Sequence, residues 1–307
     1  VAESLSMRET FAVMELAADA DCNLLITGET GTGKQLAAKA IHGASDRAGK
    51  PFVTVDCGAL PENLLESELF GHVDGAFTGA SGSRRGAFRR ADGGTVFLDE
   101  LDSMPADAQA RLLRVCEEQV VRPLGADEET DVDVRIVGAG RELKSRVADG
   151  AFRSDLYYRL SVIHIEIPPL RERLEDIAPI ARELLRNRGF DVEEVGGVNL
   201  ERLRAHGWPG NVRELRNVLD RAVALSPGAE TFEDLAVRIE TERRDSPLSV
   251  RADLPFKEAK QKLVDEFEKR YLLDLYERCD GNISETARTA DLKRKYLRKL
   301  LKRHNII

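Results

Sequence analysis

The run "LLITGETGTGKQ" sets Gly28, Gly31 and Gly33 ahead of Lys34, a G-x4-G-K pattern that follows an apolar stretch. Glycine lets the backbone bend close around an anion, and amide N–H groups at a helix N-terminus point their partial positive charge toward it. The chemistry on offer is phosphate binding. Gly28, Glu29, Thr30, Gly31, Thr32 and Gly33 would form the cradle, and Lys34 would reach the β- and γ-phosphates of ATP. Gln35 stands where the pattern usually has the Ser or Thr hydroxyl that holds Mg2+. The second cluster is Asp99-Glu100, which ends "GGTVFLDE". An apolar strand ending in two carboxylates puts them at the carboxyl edge of a sheet, where ligands of α/β folds bind. Asp99 would hold Mg2+ directly or through water, and Glu100 would polarise an attacking water as a general base. Together the two motifs point to binding and hydrolysis of ATP. Phosphoryl transfer depends on positioning and positive charge. The available arginines are Arg153 and Arg159 in "GAFRSDLYYRL" and Arg213 in "WPGNVREL".

The elements that must carry these residues alternate. "CNLLITG", "KPFVTVDC", "GGTVFLDEL" and "VDVRIVGAG" are short apolar, β-branched runs of the kind buried on both faces of a parallel sheet. Helices are expected from Gly33 to His42, over "PENLLESELFGH" with Leu64, Leu65 and Leu69 as its apolar face, and over "PADAQARLLRVCEE". Strands alternating with helices predict a doubly wound α/β fold. From about Arg173 to Leu225 the pattern is helical only, a small subdomain beside the sheet. Residues 226–254 mix Pro, Gly, Ser and charges and read as a linker. A long helix is expected from Pro255 to Cys279, followed by two short ones.

Composition narrows the class. A chain of 307 residues with 42% hydrophobic and 33% charged residues is a soluble globular protein with room for two or three domains. No apolar run approaches the ~20 residues of a membrane span, so no membrane partner is expected. Val1 begins folded-looking sequence, which suggests a piece of a longer protein. Cys22, Cys57, Cys116 and Cys279 lack metal-site spacing, so reduced thiols and a cytoplasmic location are expected. The net charge of −8 is uneven: from Gly281 onward there are eight Lys and Arg against two acids, leaving about −14 for the rest. An acidic body with a basic end suits attachment to nucleic acid.

Between the two phosphate motifs lies GAFTGA, Gly75, Ala76, Phe77, Thr78, Gly79 and Ala80, with no acid, base, nucleophile or metal ligand. GETGTGK, ESELFGHVDGAFTGA, GGTVFLDE, FRSDLYYRL, IPPLRER and WPGNVREL follow one another in an order and spacing that resembles the AAA+ core of bacterial enhancer-binding proteins. These are the NtrC-type, often two-component, activators of sigma-54 RNA polymerase. The tail "GNISETARTADLKRKYLRKLLKR" resembles their Fis-type helix-turn-helix. The resemblance implies an AAA+ α/β subdomain over residues 1–168, an α-helical lid over 169–225, and a DNA-binding and dimerisation domain over 255–307. It implies that GAFTGA tips a loop that touches sigma-54 and moves with ATP hydrolysis. Two glycines would let that loop rise or fold away, and copies in a hexameric or heptameric ring would add avidity. Arg153 and Arg159 match the arginine fingers that reach a neighbour's ATP site, and Arg213 matches the lid's sensor arginine.

Three positions depart from the family pattern. Gln35 replaces the usual Glu, Asp56 replaces an Asn that pairs with the catalytic Glu, and "RIVGAGREL" lacks a Thr-Asn pair at its sensor strand. Each bears on hydrolysis more than on binding, since a second carboxylate near Glu100 tends to raise a pKa. At the basic end, Ile283, Thr286, Ala287 and Ala290 would face inward on one helix and Leu297, Leu300 and Leu301 on the next. Lys293, Arg294, Lys295, Arg298 and Lys299 would meet double-stranded DNA in a major groove, with Asp291 at the turn in place of glycine. Leu263, Phe267, Tyr271, Leu272 and Leu275 of the long helix would make a dimer contact. Two other readings stand beside an ATP-hydrolysing activator. One is a regulator that binds ATP and DNA, hydrolyses weakly or not at all, and acts by promoter occupancy. The other is an AAA+ unfolding or DNA-loading ATPase.

Overall fold

The computed structural model describes residues 2–76, 82–190, 192, 194–239, 255–279, 282–304 and 306. Its contacts separate two units, Val1–Ile239 and Glu240–Ile307.

In the first unit the chain runs α1 (Leu5–Asp19), β1 (Leu24–Thr27), α2 (Lys34–Gly43), β2 (Phe52–Asp56), α3 (Glu62–Phe70), β3 (Gly71–His72), β4 (Arg84–Arg85) and α4 (Ala87–Arg90). It continues through β5 (Thr95–Asp99), α5 (Ala106–Glu118), β6 (Val120–Val121), β7 (Thr130–Asp131), β8 (Arg135–Gly140), α6 (Leu143–Ala148), α7 (Ser154–Leu160) and β9 (Ile163–Glu166). Five strands form one sheet in the order β2-β5-β8-β1-β9, every pairing parallel. The expected doubly wound sheet is present. Its fifth strand, "IHIE", is short and half polar, and sequence periodicity missed it.

Alternation explains the two layers of helices. Leu24, Ile26, Phe97, Val137, Ala139 and Ile165 point to one face and pack with Met7, Met14, Ala38 and Ile41 of α1 and α2. Leu25, Val55, Val96, Leu98 and Ile136 point to the other and pack with Leu65, Leu69, Leu112, Val115 and Leu156. Burying each such side chain contributes roughly 1.5–3 kcal/mol, so both faces must be covered for the apolar strands to be stable. In α3, Leu65 and Leu69 are buried as expected, whereas Leu64 is 48% exposed. It lies one residue off the buried stripe.

The lid comprises α8 (Ile177–Arg186), α9 (Gly197–Ala205) and α10 (Asn211–Ala224) around fully buried Trp208, whose indole N–H donates to the carbonyl of Leu203 at 2.7 Å. Residues 226–239, read above as linker, belong to this body. Phe232, Leu235 and Val237 are buried in its core, and Asn199 holds the carbonyls of Phe232 and Leu235 at 2.9 and 3.0 Å. Three apolar side chains at irregular spacing leave no periodic signature, which is why the segment looked unstructured. The remainder of the expected linker, 240–254, lies outside the described residues.

Helix α1, not anticipated from sequence, is fastened to the lid by a buried carboxylate. Asp176 accepts from the backbone N–H of Glu3 (2.6 Å) and Ser4 (2.7 Å) and from the Ser4 hydroxyl (2.8 Å). Asp176→Ala strands these donors in a dry site. The expected loss is about 3 kcal/mol, read as a lower urea midpoint, with Asp176→Asn losing less because one acceptor remains.

The second unit contains α11 (Phe256–Arg278), α12 (Ile283–Thr289) and α13 (Arg294–Arg303). Thr286, Ala287, Leu297, Leu300 and Leu301 are buried as the sequence predicts. Leu272 joins that core instead of a free face, because α11 packs on the two short helices. Phe267 and Tyr271 stay 51% and 44% exposed and stack at 5.7 Å.

Candidate functional site

The phosphate loop leaves β1 and ends at the N-terminus of α2. Gly28, Gly31 and Gly33 all have positive φ (151°, 82° and 107°). At Gly31 a Cβ would also stand 2.3 Å from the carbonyl oxygen of Gly210, so both its conformation and its neighbour require glycine there. Lys34 starts α2, and its ammonium donates to the carbonyls of Gly28 and Glu29 at 2.8 and 3.1 Å.

A cleft of about 600 Å³ opens above this loop. Of the residues singled out from sequence, Thr30, Gly31, Gly33, Lys34, Gln35, Asp99, Glu100 and Arg213 line it. Sequence reasoning missed Asp102, Arg141, Arg146 and Arg216, which line it too. Arg141 follows directly after β8, and its N–H donates to Asp102 Oδ1 at 3.2 Å. The strand that lacks a Thr-Asn pair thus delivers an arginine to the cleft. A basic residue just past an apolar strand was the signal that could have found it.

The electrostatics are those of a site built for charge. Burial pushes the Lys34 ammonium below its ordinary range, while Asp99, Asp102 and Glu100 pull it back up. Burial likewise raises the Asp99 carboxyl, opposed by the Glu100 N–H, Lys34 and Arg213 and reinforced by Asp56. Asp56 and Asp99 are register partners on adjacent strands. Asp56 Oδ1 accepts from the N–H groups of Gly58 and Ala59 at 3.0 and 3.2 Å, so it closes its own turn. The carboxylate it disturbs is Asp99. Glu100 takes a left-handed backbone, φ 54°, and its Oε2 lies over Gly58, where a Cβ would come within 2.1 Å.

A half-buried carboxylate held above its usual range is a donor suited to a divalent cation, so Asp99 fits Mg2+, with Gln35 offering only an amide oxygen nearby. The sign of the Asp99 shift is testable. Its folded pKa is raised, so its contribution to stability is present below the unfolded value and is lost as pH rises through the folded one. Asp99→Asn is therefore expected to melt higher than the parent near neutral pH without added nucleotide. That advantage should disappear below about pH 4, as followed by circular dichroism.

The remaining candidates lie elsewhere. Arg153 precedes α7, pairs with Asp155 at 2.7 Å and is 48% exposed. Arg159, on α7, donates to the carbonyl of Cys116 at 3.4 Å. Neither lines the cleft. Of GAFTGA, Gly75 (φ 75°) and Ala76 are described, while Phe77, Thr78, Gly79 and Ala80 lie outside the described residues. The loop's base is braced: β3 pairs with β4, Leu124 bonds Gly71 and Val73, and Asp74 Oδ1 accepts from Gly82 N–H at 2.8 Å. In the second unit Lys293, Arg294, Lys295, Arg298 and Lys299 are all exposed at the start of α13. Asp291 makes the preceding turn in a left-handed conformation, φ 52°, as the sequence anticipates for Asp in place of glycine. No described helix is long and apolar enough to cross a membrane.

Comparison with known proteins follows the same division. A family model described as the sigma-54 interaction domain matches residues 1–166, and one described as the AAA+ ATPase lid domain matches residues 171–251. The transcriptional regulatory protein GlrR of Escherichia coli is 45% identical over 301 residues, covering 95% of this chain and 64% of GlrR. The regulatory protein AtoC of Escherichia coli is 41% identical, covering 96% of this chain and 66% of its own length. The crystal structure of NtrX from Brucella abortus in complex with ATP superposes with a TM-score of 0.68 at 34% identity, covering 99% of this chain and 68% of NtrX. The chain thus spans about two thirds of these relatives. With the phosphate loop and the Asp99-Glu100 pair at one sheet edge and Arg213 of the lid lining the same cleft, the chain belongs to the sigma-54 interaction domain family, built on a P-loop AAA+ core.

Proposed function

We propose that this chain is the working part of an ATP-hydrolysing, DNA-bound transcriptional activator that opens promoters held by sigma-54 RNA polymerase. The observation that carries the reading is convergence. Lys34, the Asp99-Glu100 pair and Arg213 come from three separate segments and line one cleft, and GAFTGA leaves the same subdomain on a braced base. The amides of residues 28–34 and the Lys34 ammonium bind the β- and γ-phosphates. Asp99 would hold Mg2+, which would supply positive charge to those phosphates. Glu100 orients a water against the γ-phosphate and accepts its proton. Arg213 binds the phosphates from the lid. Arg153 and Arg159, exposed and away from their own cleft, complete the site of a neighbouring copy, so turnover requires a ring. Phe77 and Thr78 touch sigma-54, and the exposed bases of α13 hold upstream DNA while a dimer forms through α11.

A regulator that hydrolyses slowly is the second reading. It is favoured by Asp56 beside Asp99 and by Gln35 in place of a hydroxyl. Open-complex formation on a sigma-54 promoter separates the two. With ATP, the chain should yield permanganate-reactive template DNA, and Thr78→Ala should remove the reactivity while ATP turnover persists. Bound promoter with no opening at any ATP concentration would favour the second reading.

A further inference from the structure

The lid grips four consecutive residues of the phosphate loop. Arg171 meets Glu29 with both ends of its guanidinium, Nη1 to Oε2 at 2.8 Å and Nη2 to Oε1 at 2.6 Å. Asn211 donates to Glu29 Oε2 at 3.0 Å and to the Thr30 carbonyl at 3.1 Å, while its own Oδ1 accepts from Leu170 N–H at 2.7 Å. The N–H of Val212 donates to the Gly31 carbonyl at 3.1 Å, and buried Arg173 donates to the Thr32 carbonyl at 3.0 Å. Asn211 is fully buried with φ 51°, a left-handed conformation that asparagine adopts more readily than most residues. Neither Arg171 nor Asn211 lines the cleft.

Glu29 is the centre of this strap, and its charge needs an explanation. A carboxylate within a loop that binds a polyphosphate repels its ligand, whereas a neutral side chain there would do no harm. Arg171 cancels that charge, while the N–H of Val212, the residue preceding Arg213, ties the loop to the lid through the Gly31 carbonyl. We propose that Arg171 and Asn211 are positioning residues for nucleotide binding, acting through Glu29. Arg171 masks a carboxylate that would otherwise oppose the phosphates, and the strap makes the lid and the phosphate loop answer nucleotide as one body. The inference rests on the reading that the cleft binds ATP.

A bond that is only structural and a charge that is masked differ in one respect. If Arg171 only braces the fold, removing Glu29 as well cannot repair its loss. If it masks Glu29, neutralising Glu29 must repair it. Fluorescent ATP-analogue titrations on the whole chain read this directly. Arg171→Ala should weaken binding at least tenfold and Arg171→Lys less, with Glu29→Gln measured as the reference for the double variant. The double variant Glu29→Gln/Arg171→Ala should recover most of the loss. Arg171→Ala should weaken ATP more than ADP, since the repulsion grows with phosphate charge. Asn211→Gly, which keeps the left-handed backbone, should weaken binding of both nucleotides. Melting curves identify a variant that fails to fold, and Arg171→Lys with Glu29→Gln then carries the comparison. A double variant no tighter than Arg171→Ala overturns the inference, as does an Arg171→Ala chain that binds like the parent. If the parent chain fails to bind, or Lys34→Ala binds equally well, the ATP reading itself falls.

Discussion

Glu100→Gln is expected to bind ATP as tightly as the parent chain and to hydrolyse it at least about a hundredfold more slowly, the usual worth of a positioned general base. The substitution keeps volume and hydrogen-bonding reach but removes the basic oxygen pair. Phosphate binding should persist because the amides of residues 28–34 and the Lys34 ammonium are untouched. The geometry makes the position demanding. Glu100 sits in a left-handed conformation at the end of a buried strand, and its carboxyl rests on Gly58, in the turn that Asp56 closes. Such strain in a non-glycine residue costs on the order of 1–3 kcal/mol and marks a place held by its surroundings. Single-turnover hydrolysis beside equilibrium binding checks both halves of the expectation.

Arg153→Ala is expected to lower turnover by about a thousandfold or more with nucleotide affinity unchanged, the range seen for arginines that stabilise phosphoryl transfer. The Arg153 guanidinium is exposed, pairs with nearby Asp155, and lies outside the cleft of its own chain. Removing it should therefore leave the fold and the binding site intact. Arg159→Ala should lower turnover similarly, with a small loss of stability because its guanidinium also holds the Cys116 carbonyl. In both variants the parent's rise of specific activity with protein concentration should disappear.

Much of this was legible in the sequence, and the exceptions have physical causes. The glycine spacing before Lys34 and the Asp-Glu pair after an apolar strand stand out because backbone geometry and charge demand those residue types. The lid strap was not legible, since Glu29, Arg171 and Asn211 are each unremarkable until the fold brings them together. Arg146 was missed for the same reason, since surface arginines carry no periodicity, and Arg141 was marked only by its place just past an apolar strand. Strand β9 was hidden by its polar half, and the buried tail of the lid by the irregular spacing of Phe232, Leu235 and Val237. Asp56 was noticed as a departure, but which carboxylate it disturbs depends on strand register, and the partner is Asp99. Asp291 shows the opposite case, where knowledge of turn dihedrals anticipated the backbone.

The central claim is that each ATP site is finished by a neighbouring copy. The most direct test mixes two variants that are each inactive, Glu100→Gln and Arg153→Ala. The first supplies an intact arginine to its neighbour, and the second supplies an intact Glu100 in its own cleft. ATP turnover should reappear on mixing, rise with total concentration and peak at intermediate ratios. Turnover that stays at the level of the separate variants at every ratio would contradict the account, because the arginine and the glutamate would then serve the same chain.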